Sequence, residues 1–171
     1  MESAGLIDGL NAVVLRRLPQ HYGRLLVTLQ FMWLGLLLVI PTGSLPLHSA
    51  PWLALASACS LLAVAVAIAA FLSLGSSFRV RPEPLAAAQL VSRGVYRWIR
   101  HPMYTAVLAI AAAMALRVSS GTGLAIWCAL AVTLECKSHY EDALWRAKDA
   151  RAADYQRRVG RFLPKVRRFS S

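Results

Sequence analysis

Long, uncharged apolar runs constrain this chain more than any other feature. From Pro51 to about Leu74 the sequence passes through alanine, leucine and valine without a charge, enough for a helix to cross the roughly 30 Å of a bilayer's hydrocarbon core. Pro51 falls in the first helical turn, where its missing N–H costs nothing. A second run, Leu25 to Ile40, is just long enough to span and is closed by Pro41, Thr42 and Gly43, residues that stop a helix. A water-soluble domain with 57% hydrophobic residues would instead cut them into short periodic segments.

Between Gly75 and His101 the chain becomes polar and turn-rich, with Arg79, Arg81, Pro82, Glu83, Pro84, Arg93, Gly94, Arg97 and Arg100, and belongs outside the hydrocarbon. Pro102 opens a third apolar stretch to Leu116, a turn follows at Ser119 to Gly123, and a fourth stretch runs from Leu124 to Leu134. These read as a hairpin with short arms, which either spans by tilting through a thinned bilayer or re-enters it. Beyond Lys137 the pattern is amphipathic to about Val159, with Leu144, Tyr155 and Val159 among charges, and stops before Pro164. That pattern predicts a separate cytoplasmic helix. The expected fold is therefore all-α: an integral membrane bundle of about four spans, with an interfacial segment at residues 1–24 and two anchoring helices at 25–74. Residues 75–171 form a loop, a hairpin and an amphipathic tail.

Nineteen Lys and Arg face eight acids, for a formal charge of +11. The basic residues flank apolar runs and form no aromatic-interleaved patch, so the partner they suggest is a bilayer and not a nucleic acid. With four crossings every Lys and Arg except Arg117 falls on one side, and Thr42 to Ala50 carries none. The positive-inside rule then puts both termini and the central loop in the cytoplasm. Glu2 and Asp8 precede Arg16 and Arg17, the reverse of a secretory signal. Cys59, Cys128 and Cys136 show neither a disulfide framework nor zinc spacing, and no metal site is expected.

Chemistry-bearing residues gather in two places. The first, Tyr96-Arg97-Trp98-Ile99-Arg100-His101-Pro102-Met103-Tyr104, stands directly before an apolar helix, whose N-terminal N–H groups favour an anionic ligand. As interfacial anchors, Arg97 and Arg100 with Tyr96, Trp98 and Tyr104 need no further role, but an anchor has no use for the two ring nitrogens of His101. The second is Lys137, His139, Tyr140, Glu141 and Asp142. Asp142 reads as a surface pair with Arg146 one turn on. Glu141 reads equally as a solvated charge paired backwards with Lys137 or as a ligand-binding acid.

The pattern Gly94-x-Tyr96-Arg97-x-x-Arg100-His101-Pro102-x-Tyr104, then a hairpin, then Glu141-x-x-Leu144, Tyr155, Val159 and Arg161-Phe162-Leu163-Pro164, resembles the isoprenylcysteine carboxyl methyltransferase and phospholipid methyltransferase superfamily. The resemblance covers about Phe78 to Pro164. It implies an S-adenosylmethionine pocket at the cytoplasmic end of the last helices, closed by the tail. Gln89, Leu90, Val91, Tyr96, His101, Pro102, Met103, Tyr104 and Glu141 are its implied cofactor residues. Arg100 and Glu141 are the implied catalytic residues, and Lys137 matches a substrate-binding basic position. The implied acceptor is a membrane lipid or lipidated molecule bearing a carboxylate, amine or hydroxyl. Two positions depart from the family pattern: Ala106 replaces a usual glycine, and Tyr140 stands before Glu141 where a pair of glutamates is usual. A sterol-reductase-type NADPH enzyme and a non-catalytic relative are the alternative readings.

Overall fold

The computed structural model describes residues 20–47, 49–74 and 90–165, and among these it is all-helical. Helix α1 is Gln20–Val39, α2 is Ala50–Leu74, α3 is Pro102–Val118, α4 is Gly121–Lys148 and α5 is Ala152–Arg158, with a single 3-10 turn at Gly94–Arg97 before α3. The segment expected to lie at the interface ahead of the first span falls largely outside the described residues, and its last part, from Gln20, is already the start of α1.

By length and composition, His21–Val39 and Ala50–Leu74 are able to cross a membrane, and α3 is a shorter apolar helix. Their outer faces carry large apolar side chains in the open, among them Leu38, Leu61, Leu62 and Leu72. In water such faces would associate; in a bilayer they meet acyl chains. What α2 buries is small. Ala56, Ala63 and Ala70 recur every seven residues on its inward side, and α3, which packs against it, buries Ala106 and Ala113 as well as Ala111 and Ala115, the last two in a cluster with Leu37, Leu130 and Leu134. Side chains without γ-carbons let the two backbones approach closely, the usual basis of helix association where no hydrophobic effect separates helix from lipid. The hydroxyls of Ser57, Ser60 and Ser73 donate to the carbonyls four residues before them, so these serines are satisfied within a lipid-facing helix.

Helix α1 lies antiparallel to α4. Tyr22 meets Tyr140 edge to face with centroids 5.4 Å apart, Gln30 accepts from Lys137, Trp33 Nε1 donates to Thr133 Oγ1 at 3.1 Å, and Leu37 packs into a cluster with Leu130 and Leu134. At the far end the link between α1 and α2 locks onto the α3–α4 turn. Gly43 N donates to the Val118 carbonyl at 2.7 Å and Leu45 N to that of Ser119 at 2.9 Å.

The structure corrects the expectation of a hairpin followed by a separate amphipathic helix. Helix α4 runs unbroken for 28 residues, about 42 Å at 1.5 Å per residue, longer than a hydrocarbon core is thick. The change from apolar to polar at Lys137 alters the helix's surroundings but supplies no stop, since no glycine or proline occurs between Leu134 and Lys148. The break comes at Asp149, whose backbone is extended (φ −132°, ψ 118°) and whose carboxylate accepts from Arg151 N. The short α5 follows.

Candidate active site

The helix start at Pro102 and the projecting end of α4 meet at one end of the bundle. His101 precedes Pro102 as the N-cap, and its side chain makes no cap bond. Its ring is buried between two carboxylates, with Nε2 3.0 Å from Asp142 Oδ1 and Nδ1 3.4 Å from Glu141 Oε2. Tyr104, one turn on, donates its hydroxyl to Glu141 Oε2 at 2.8 Å. Its ring stacks on the His101 ring, 5.2 Å between centroids and 8° from parallel. Phe162 tilts against His101 from the tail side at 6.3 Å. Arg100 Nη1 reaches Asp142 Oδ2 at 2.9 Å.

This arrangement sets the charge states. Burial pushes the His101 pKa down, but its bonds to Asp142 and Glu141 and their charges outweigh that and lift it to about 9. The ring is then a cation donating from both nitrogens. Burial alone would raise the Asp142 pKa, yet the His101 hydrogen bond and the charges of His101, Arg100 and Arg161 hold it below the usual carboxylate range. Burial raises the Tyr96 phenol above its ordinary value, and the charge of Glu141 adds to the effect.

Residues 159–165 close over this end as a strap. Ile99 and Gly160 form a parallel bridge, Arg100 N donates to the Gly160 carbonyl at 2.8 Å, and His101 N donates to that of Arg161 at 3.0 Å. Thr105 Oγ1 donates to the Phe162 carbonyl at 2.8 Å. Only glycine fits at position 160, because a Cβ there would collide with the Leu163 carbonyl oxygen. Arg161 turns inward, its Nε 3.5 Å from Asp142 Oδ2, while Nη1 pairs with Glu135 and donates to His139 Nε2. Gly94 sets the approach from the other side, with φ +57° and no room for a Cβ beside Ser73 Oγ.

Of the residues expected at the site, Arg100, His101, Tyr104 and Glu141 come together. Tyr96 is buried nearby, its carbonyl accepting from Tyr155 OH at 2.6 Å. Pro102 is fully buried and Met103 half-buried in the first turn of α3. Leu90 and Val91 are half-buried in the irregular segment leading in, and Gln89 lies outside the described residues. Lys137, one turn before Glu141, is buried against α1, where its ammonium donates to Gln30 Oε1 at 2.8 Å and lies 5.0 Å from the centroid of the Tyr104 ring.

Several expectations are overturned. Asp142 is no surface partner of Arg146; it is 4% exposed and bound to Arg100 and His101, while Arg146 donates to Gln156. Glu141, read equally as a solvated charge or a ligand-binding acid, is half-buried and held by Tyr104 and His101. Arg100, Tyr96 and Tyr104 point inward and are not interfacial anchors, a description that suits the exposed Arg97 and Trp98. Tyr140 faces Tyr22 on α1, so the two acids in the cluster are Glu141 and Asp142. Asp142 and Arg161 were missed as site residues. Their signal was present in the two adjacent acids and in the arginine of Arg161-Phe162-Leu163-Pro164, but helix spacing alone assigned Asp142 to the nearest cation.

The isoprenylcysteine carboxyl methyltransferase (ICMT) family matches residues 54–143, which is just over half of the chain. The chain belongs to this family. Comparison with curated proteins finds no match. The family region begins in α2 and ends on Ala143, so it contains both halves of the charged cluster, Arg100 to Tyr104 and Glu141 with Asp142. Its membership and its apolar helices make this chain a membrane methyltransferase by family. Helix α1 with Gln30, and the strap with Arg161 and Phe162, lie outside the matched region.

Proposed function

We propose that this chain transfers the methyl group of S-adenosylmethionine to a carboxylate, amine or hydroxyl on a membrane lipid or lipidated molecule, at the cytoplasmic face. The observation that carries this reading is the convergence of the Arg100 to Tyr104 helix start and Glu141 in one buried charged cluster beneath the strap.

The residues fit such a cofactor. Its amino-acid end carries an ammonium and a carboxylate. Glu141 spends one oxygen, Oε2, on both Tyr104 and His101, which leaves Oε1 to accept from an ammonium. The buried Nε–H of Arg100 has no hydrogen-bond partner among the described residues, nor do Arg161 Nε and Asp142 Oδ2, which face each other at 3.5 Å; a ligand carboxylate would relieve the Arg100 donor. The rings of Tyr104, His101 and Phe162 offer an aromatic wall for an adenine, and Leu90, Val91, Tyr96, Pro102 and Met103 the rest of the lining; Gln89 is assigned by the family pattern alone.

When bound, the cofactor supplies an electrophilic methyl group on a positively charged sulfur. An acceptor lone pair would take that methyl in line, the sulfur keeping the electrons of the broken bond, and a carboxylate acceptor would have no proton to lose. Such a displacement is accelerated chiefly by positioning. Arg100 and Glu141 fix the two reacting partners, and Lys137 attracts an anionic acceptor. For an amine or hydroxyl acceptor a base would also be needed, with Glu141 the candidate.

Calorimetric titration of S-adenosylmethionine into the purified full chain tests this. Binding is expected, with Glu141→Gln weaker by about ten- to a hundredfold, the cost of one buried charge-assisted hydrogen bond. Absence of binding by the unmodified chain would remove the reading and leave a non-catalytic family member.

A further inference from the structure

We infer that Asp142 is a positioning residue that latches the strap, residues 159–165, over the site and so joins strap closure to ligand binding. Asp142 is the anion on which three segments meet. His101 and Arg100 reach it from the helix start, at 3.0 and 2.9 Å, and Arg161 reaches it from the strap at 3.5 Å. The backbone repeats the junction, since the amides of Arg100 and His101 donate to the carbonyls of Gly160 and Arg161. Two residues of the helix start are thus tied to two residues of the strap by main chain, and their side chains share one carboxylate. Removing its charge takes from Arg100 its ion-pair partner and leaves His101 and Arg161 with Glu141 and Glu135 as their acidic partners, so the helix start and the strap no longer share an anion and the strap is held less tightly. Glu141 is a poor substitute, because its bonds go to His101 and Tyr104 and, among the described residues, no ion pair joins it to Arg100 or Arg161. Asp142 is buried on the projecting turns of α4, so its link to the strap acts from outside the apolar bundle.

The Arg100 and His101 amides report the latch directly, because both donate to the strap. Hydrogen exchange on the full chain in lipid nanodiscs is expected to show them losing protection by about tenfold or more in Asp142→Asn, with α2 and the apolar half of α4 unchanged. Asp142→Glu, which keeps the charge, is expected to retain protection. Arg161→Gln approaches the same contact from the strap and is expected to loosen the same two amides, which keeps the test open should Asp142→Asn fail to fold. Unchanged protection of these amides, equal loss in the Asn and Glu variants, or loss spread evenly through the bundle would each overturn the latch. The link to binding rests on the proposed function and is read separately: saturating S-adenosylhomocysteine should further protect the two amides in the unmodified chain. If it does not, while the variants loosen the strap as expected, the proposed function fails and the latch stands.

Discussion

His101 owes its charge to two neighbours that are adjacent in sequence but forty residues and more away from it. A histidine whose folded pKa is about 9, against an ordinary 6.5, adds stability that is complete below about pH 6.5 and is lost as pH rises through about 9. The thermal midpoint of the chain in detergent, compared with that of His101→Gln, should therefore differ most below pH 6.5 and converge as the pH passes 9. A difference independent of pH would mean that the ring is neutral throughout. The histidine was legible as an unusual residue from its setting between Arg100 and Pro102. Its partners were only partly legible, because spacing along a helix reports neighbours on the same helix and Asp142 finds its partners on two other segments.

Among the elements, α4 joins everything: α1 along its length, α3 through the hairpin, and the site and strap at its projecting end. Two polar contacts hold α1 to it. The Trp33–Thr133 bond is a neutral pair within the apolar region, and such bonds contribute only about 0.6 kcal/mol on average. The Gln30–Lys137 bond involves a buried ammonium, so losing its acceptor costs more, about 1–3 kcal/mol. Gln30→Leu is accordingly expected to destabilise the bundle by that amount and Trp33→Phe by much less, as measured by unfolding in mixed detergent micelles. Equal effects would show that the Lys137 ammonium does not depend on α1. The two long apolar runs and their approximate limits were legible, because a helix must match a bilayer's thickness. The continuity of α4 was not, because a change of polarity along the sequence resembles a boundary even where the helix carries straight through it.

At the scale of the whole molecule, antiparallel packing of α1 on α4 and of α2 on α3 gathers the charged cluster at one end and the Gly43 and Ser119 turns at the other. Most of the described basic residues belong to the cluster's end, which by the positive-inside rule would face the cytoplasm. In a background lacking Cys59, Cys128 and Cys136, a membrane-impermeant thiol reagent applied to intact cells should label Ser44→Cys and spare Lys165→Cys. The reverse pattern would put the site on the outer face.

The sequence by itself determined that the chain is a helical membrane protein and placed its chemistry at the Pro102 helix start and the acids beyond the last apolar run. Both follow from local physics, the length of uncharged segments and the residue types at helix ends. Only the tertiary structure decided which acid does what. Glu141 and Asp142 are adjacent on one helix and differ by about a third of a turn, enough to direct one toward Tyr104 and the other toward Arg100 and the strap. That assignment depends on where α3 and the tail pack against α4, which is set by alanine faces and backbone hydrogen bonds that spacing along a single helix does not reveal.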